Sequence, residues 1–173
     1  MRQLLLLRHA KAVPAKPGQP DQDRPLAPRG ERDAAALRAR LAALGLVPDL
    51  ILVSPARRTR ETLAALEPWD ETPLVETVEP LYLADAPGLT ATLAEVADTV
   101  RSVLVIGHNP GLHLLAAELA AGTRTEAARR IAERFPTAAL AEFALPGPWS
   151  RLAGARLTRL LLPEDLAAAK PEI

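Results

Sequence analysis

Three short apolar runs in this chain end abruptly in polar clusters that carry histidine or arginine, and that pattern constrains the fold more than any other feature. Residues 3–7 run into Arg8-His9, residues 49–53 into Ser54-Pro55-Ala56-Arg57-Arg58, and residues 102–106 into Gly107-His108-Asn109-Pro110-Gly111. Short apolar runs bounded by polar or turn residues have the signature of buried strands. Helical spacing fills the intervals. Within residues 31–44, Leu37, Leu41 and Leu44 recur at i, i+4 and i+7 before Gly45, and Leu89, Leu93, Val96 and Val100 repeat the spacing after Pro87 and Gly88. Each pattern reads as an amphipathic helix with its own start or stop residue. Residues 57–66 and 112–121 complete the alternation. Strand and helix taking turns predicts an α/β three-layer sandwich, its central, mostly parallel sheet covered by helices on both faces. Two later runs, 138–145 and 155–162, are separated only by the turn cluster 146–150, which predicts an antiparallel edge and so a mixed sheet.

The chain has 173 residues, 49% of them hydrophobic, enough for one domain over 1–173 with a core that needs no crosslinks. It has no cysteine, which excludes disulfides, thiolate metal sites and cysteine nucleophiles together. Lys plus Arg and Asp plus Glu balance at 21 each, which argues against nucleic acid as a partner but leaves room for a local basic pocket. The apolar run at residues 4–7 is too short for a signal-peptide core, and nothing approaches the roughly 20 apolar residues that span a bilayer. No membrane partner is expected, and the expected compartment is the cytoplasm. The proline-rich stretch 13–30 is not expected to be helical and is long for a passive connection, so it is a candidate border of a site. After Pro163 the tail is Ala-rich and acidic, a short helix or a frayed end.

In an open α/β sheet, ligands bind in the crevice beyond the carboxyl ends of the strands, which is where the three clusters converge. A neutral imidazole there can attack phosphorus without a separate base. A lone strand-end histidine more often only caps the backbone, but His9 has a counterpart in His108, followed by Asn109 and a helix start whose N–H groups favour anions. Arg8 and Arg58 suit the same pocket, since a guanidinium offers phosphate a bidentate fork at any physiological pH. Arg57 and Arg60 flank Arg58 on the following helix and point elsewhere. Ser54 reads as the cap of that helix. His113 with His108 does not form a metal pair, because their spacing matches no ligand pattern; no metal is expected. There is no GxxxxGK[ST] or GxGxxG loop. On physical grounds alone His9 and His108 are equivalent candidates for the nucleophile.

Four segments together resemble the histidine phosphatase superfamily, phosphoglycerate mutase-like in fold, and within it the short SixA-type phosphohistidine phosphatases. They are LLLLRHAK around Arg8 and His9, RPLAPRG at residues 24–30, PDLILVSPARRTRET at 48–62 and VLVIGHNPGL at 103–112. Ala10 stands where many members of the superfamily have glycine. The resemblance implies that His9 becomes phosphorylated, that Arg8, Arg58 and His108 form the phosphate pocket with Asn109 beside them, and that no cofactor is needed. The mechanism expected from it places phosphorus in line with His9 while two arginines and a protonated His108 balance the charge.

Larger relatives that cleave phosphate esters use a carboxylic acid to protonate the leaving alkoxide. Glu79, Asp85 and Glu61 are the nearest carboxylates in sequence, and surface salt bridging is the role expected of each. Without such an acid, a phosphoramidate is the better substrate, which favours phosphohistidine in a protein such as a histidine-phosphorylated carrier or phosphotransfer domain. The alternatives are a phosphatase for a small phosphorylated molecule, a module that recognises phosphate or phosphohistidine without turnover, and, least of all, a mutase.

Overall fold

The structure, a computed structural model, describes residues 1–69 and 71–168. Six strands form one sheet: β1 (Arg2–Arg8), β2 (Leu50–Val53), β3 (Leu74–Thr77), β4 (Ser102–Gly107), β5 (Leu140–Leu145) and β6 (Arg156–Leu161), in the order β3-β2-β4-β1-β5-β6. Strands β3, β2, β4 and β1 are parallel, whereas β5 runs antiparallel to β1 and β6 antiparallel to β5. The expected mixed sheet with an antiparallel edge is what forms.

Side chains along β1, β2 and β4 alternate between two apolar layers, as period-two geometry demands. Leu5, Leu7, Ile51, Val53, Leu104 and Ile106 meet helices α1 (Pro28–Ala43) and α2 (Arg57–Leu66). Leu4, Leu6, Leu50, Leu52, Val103 and Val105 meet α3 (Ala86–Ala94), α4 (Gly111–Ala120) and α5 (Glu126–Glu133). Leu37 and Leu41 of α1 are the buried stripe read from the spacing. Truncating such a leucine to alanine costs about 2–5 kcal/mol. A short α6 (Pro163–Ala168) follows β6 and adds Leu166 to the α1 side; the end of the tail lies outside the described residues. Among the described residues no helix is long and apolar enough to cross a membrane.

Several boundaries differ from the sequence reading. Helix α1 starts at Pro28, inside the stretch read as non-helical, because proline at the first helical turn lacks only an N–H that would be unpaired anyway. Residues 21–23 form a single 3₁₀ turn. Helix α3 stops at Ala94, so Val96 and Val100 reach the core from a loop. Ala56, not Ser54, is the N-cap of α2. Strand β3 and helix α5 were not anticipated.

Register places the site. Arg8 pairs with Gly107 and Val53 with Ile106, so β1, β2 and β4 end at one level and their polar clusters meet. The chain leaving β1 crosses one face through α1, and the chain leaving β4 crosses the other through α4, which opens a crevice between the diverging loops. Two glycines let those helices approach. A Cβ on Gly30 would lie 2.1 Å from the Lys11 carbonyl oxygen, and one on Gly111 would lie 1.9 Å from that of Ala84. Neither position can carry a side chain without moving backbone.

Candidate active site

A cavity of about 300 Å³ lies beyond the ends of β1 and β4, and Arg8, His9, Arg58, His108 and Asn109 all line it. His9 is 8% exposed and its ring centroid lies 5.3 Å from that of His108. The backbone around it is tied on three sides. His9 N–H donates to the Gly107 carbonyl, Ala138 N–H to the His9 carbonyl, and Ala10 N–H to Thr62 Oγ1 on α2.

The His9 ring nitrogens are distinct. Nδ1 lies 2.7 Å from the Ala10 carbonyl oxygen, which can only accept, so Nδ1 carries the proton and Nε2 keeps its lone pair. Burial, with smaller contributions from Arg58, Arg8 and Arg24, pushes the imidazole down to about 4, the Ala10 hydrogen bond opposing. His9 is therefore neutral at pH 7.

His108 is fixed with equal definition. Arg58 Nη2 donates to its Nδ1 at 3.3 Å, so that nitrogen is unprotonated, and Nε2–H donates to Ser54 Oγ at 2.7 Å. Ser54 thus orients the second histidine; its oxygen is a distant 3.4 Å from Ala56 N, which replaces the capping role expected of it. Burial first, then the charge of Arg58, pushes His108 down to about 3. The expected protonated His108 is corrected by this environment: the protein's own groups hold it neutral, and positive charge in the cavity comes from arginine and lysine.

Arg58 is almost wholly buried on the first turn of α2, while Arg57 and Arg60 point outward, Arg57 to Glu61. Arg8 Nη1 and Asn109 Nδ2 both donate to the Phe135 carbonyl. Arg8 Nε, Arg58 Nε and Asn109 Oδ1 are buried without a partner. Unpaired buried polar atoms are costly and call for an explanation. The two guanidinium donors belong to residues that line a cationic cavity, where an anion would engage their groups, whereas Asn109 Oδ1 is an acceptor and calls for a donor instead. His113 lies apart, its Nε2 at 2.6 Å from the Ile131 carbonyl and its ring stacked on Phe135.

The match to known proteins agrees with this geometry. The sequence profile of the histidine phosphatase superfamily (branch 1) matches residues 4–79. A protein of Mycobacterium tuberculosis without an assigned function is 42% identical over 151 residues, covering 83% of this chain and 90% of its own. A Nakamurella multipartitia protein, named as a candidate phosphohistidine phosphatase SixA, has a solved structure with a TM-score of 0.82 at 31% identity, covering 94% of this chain and 96% of its own. The chain belongs to the histidine phosphatase superfamily. It falls in the SixA-type branch, and the protein histidine phosphatase SixA solved with tungstate is also similar, with a TM-score of 0.77 at 26% identity over 95% of this chain and 99% of that one.

This histidine phosphatase carries a carboxylate in its cavity that the sequence reading missed. Asp21, on the 3₁₀ turn of the proline-rich stretch, is the only acidic residue lining the cavity among those described. Its Oδ2 accepts from Tyr82 Oη at 2.6 Å and from Arg58 Nη2 at 3.0 Å, its Oδ1 from Arg24 Nη1 at 2.8 Å, and its carbonyl from Arg58 Nη1 at 2.8 Å. The Tyr82 hydrogen bond, followed by those of Arg24 and Arg58, holds the carboxyl well below the usual range, and Asp21 in turn raises the Tyr82 phenol. Lys11, Ala12, Leu83 and Thr137 complete the wall. The three carboxylates singled out in the sequence are elsewhere. Glu61 accepts from Leu26 N–H and pairs with Arg57, Asp85 caps α3 through Gly88 N–H, and Glu79 lies exposed in a 3₁₀ turn beside β3. Among the described residues no three His, Cys, Asp or Glu side chains cluster as a metal site would need.

Proposed function

We propose that this chain, acting as one domain over residues 1–173, is a phosphatase in which His9 accepts the phosphoryl group, and that its substrate is phosphohistidine in a protein. One observation carries the reading: a buried imidazole, neutral and fixed in the tautomer that leaves Nε2 free, stands among two guanidinium groups whose Nε atoms have no partner. A neutral lone pair aimed into a cationic cavity is the arrangement that in-line attack on phosphorus needs.

Nε2 of His9 bonds to phosphorus as the bond to the leaving group breaks, the leaving atom keeping the electron pair. Arg8, Arg58 and Asn109 hold the equatorial oxygens. His108 arrives neutral, its Nδ1 lone pair engaged by Arg58, so the charge on the phosphoryl oxygens is balanced by the guanidinium groups. Water then attacks the phosphohistidine, and the P–N bond breaks back to His9. No carboxylic acid stands ready to protonate an alkoxide, because Asp21 is held ionised. Ester cleavage is therefore handicapped, whereas the nitrogen of a phosphoramidate leaves without that help. The SixA-type relative from Nakamurella multipartitia, named for phosphohistidine, and the SixA named as a protein histidine phosphatase support the same substrate. The cytoplasm is the compartment that fits this role, and cell fractionation tests it.

The test is phosphate release by wild type and His9→Ala from a histidine-phosphorylated phosphocarrier protein and from p-nitrophenyl phosphate, with a chelator present. Carrier turnover above ester turnover, abolished in the variant, is expected. Preference for the ester would move the substrate to a small phosphorylated molecule, and phosphate binding without turnover of either would leave only a recognition module.

A further inference from the structure

Asp21 is an odd component for a phosphate pocket. A carboxylate repels the anion that Arg8, Lys11, Arg24 and Arg58 attract, and it occupies Arg58, the most buried of those cations. If its task were only to hold Arg58, a buried carbonyl would serve, and the Asp21 carbonyl already does so at 2.8 Å. The Asp21 side chain is 42% exposed and lines the cavity. A carboxylate offers about four acceptor positions. Three are taken, by Tyr82, Arg58 and Arg24, which leaves one open at the cavity wall. In the same wall, Leu83, which follows the Tyr82 bonded to Asp21, presents an apolar side chain that is 53% exposed, on a backbone held at φ 51°, a region that a non-glycine residue enters at a cost. An acceptor next to an apolar surface suits a flat ring that carries an N–H.

Resting on the phosphohistidine reading above, we infer that Asp21, with Leu83 beside it, is the specificity-determining subsite for the leaving group and selects a phosphoimidazole protonated on its far nitrogen. The chemistry balances without a general acid. Phosphorus sits on one ring nitrogen of the substrate and a proton on the other, so the phosphoimidazole ring is a cation. As the His9 Nε2–P bond forms and the substrate P–N bond breaks, the electron pair neutralises that cation, and the ring departs as neutral imidazole with its proton in place. Asp21 binds the N–H throughout and stays ionised. A phosphate ester offers neither charge nor N–H at this position and meets only the repulsion.

The experiment compares Asp21→Asn with wild type on two substrates, a histidine-phosphorylated phosphocarrier protein and p-nitrophenyl phosphate, with inorganic phosphate as a competitive inhibitor to report on the cavity. The asparagine keeps an acceptor for Arg58 and removes the charge. The expected result is a ratio of kcat/KM, phosphohistidine over ester, that falls about tenfold or more, through a loss on the first substrate and a gain on the second, with phosphate inhibiting the variant more tightly. Leu83→Ala should lower the same ratio by a smaller factor. Equal losses on both substrates with weaker phosphate inhibition would mean that Asp21 only positions Arg58, and would overturn the inference while sparing the phosphohistidine reading. An unchanged ratio would overturn it equally. Failure of wild type to prefer phosphohistidine would sink the substrate reading, and the inference with it.

Discussion

The two ends of the central sheet both carry polar side chains, yet they are built differently. At the amino end of β1 and β4, Ser102 Oγ donates to Gln3 Oε1, Gln3 Nε2 and Arg159 Nη1 donate to the two oxygens of Glu142, and Asp49 Oδ2 accepts from Arg101 and Ser102 N–H. Charges pair there and acceptors meet donors, with Arg2 Nε the exception. At the carboxyl end, four cationic side chains and a single carboxylate line an open cavity, and three of the five unpartnered buried side-chain atoms among the described residues lie there. A satisfied network stabilises the fold, whereas an unsatisfied one is kept for a ligand that completes it. The contrast separates structural polarity from functional polarity within one sheet.

That contrast can be broken by removing groups at each end. Arg58→Ala should lower kcat/KM by roughly ten- to a hundredfold, since a charge-assisted contact contributes about 1.5–3 kcal/mol; steady-state kinetics on the phosphocarrier substrate decides it. Glu142→Gln, at the opposite end, should cost about 1–3 kcal/mol of stability by leaving a donor of Gln3 or Arg159 unmatched, while kcat/KM stays within twofold or so. Urea unfolding paired with an activity assay separates the two effects. Loss of activity without loss of stability in Glu142→Gln would erase the distinction between the ends.

Acidity sharpens it further. His9 and His108 have folded values near 4 and 3 against 6.5 when unperturbed, so the unfolded chain binds more protons in that interval. Stability therefore falls as pH drops from 6.5 through those values, and is unaffected by these groups above 6.5. Asp21, depressed from 3.8, adds a loss of the same sign only below its ordinary value. Denaturation midpoints across this range should show a slope that His9→Asn and His108→Asn each reduce. The smallest effect belongs to Arg57→Ala, which removes an exposed pair with Glu61, should change stability by about 0–1 kcal/mol, and should leave turnover intact.

Much of this was legible in the chain because local chemistry and global position coincide. Strands β1, β2 and β4 are continuous apolar runs since both faces are covered, and Arg8, His9 and His108 stand at the ends of β1 and β4 with Arg58 five residues past β2, so sequence position gives spatial position. Strand β3 was illegible because Leu74–Thr77 is wholly exposed at the sheet edge and exists through pairing with β2, not through its own pattern. Helix α5 buries only Ala128 and Ile131, too thin a stripe to read. Asp21 and Tyr82 stand 61 positions apart with nothing local to mark either, and only the fold brings them to Arg58. The one faint signal was Asp21-x-x-Arg24 at turn spacing within a stretch too proline-rich to be idle. The neutrality of His108 was hidden for a different reason. It depends on burial and on Arg58 donating to Nδ1, and neither is a property of the residue type.

The proposed function turns on passage of a phosphoryl group through His9 at the carboxyl end of the sheet. It is tested most directly by single-turnover reaction with the histidine-phosphorylated phosphocarrier protein, alkaline quench, and mass spectrometry of the digested chain. One phosphoryl group, transient, is expected on the peptide containing His9 and absent in His9→Ala. Phosphate on the peptide containing His108, or full turnover by His9→Ala, would contradict it.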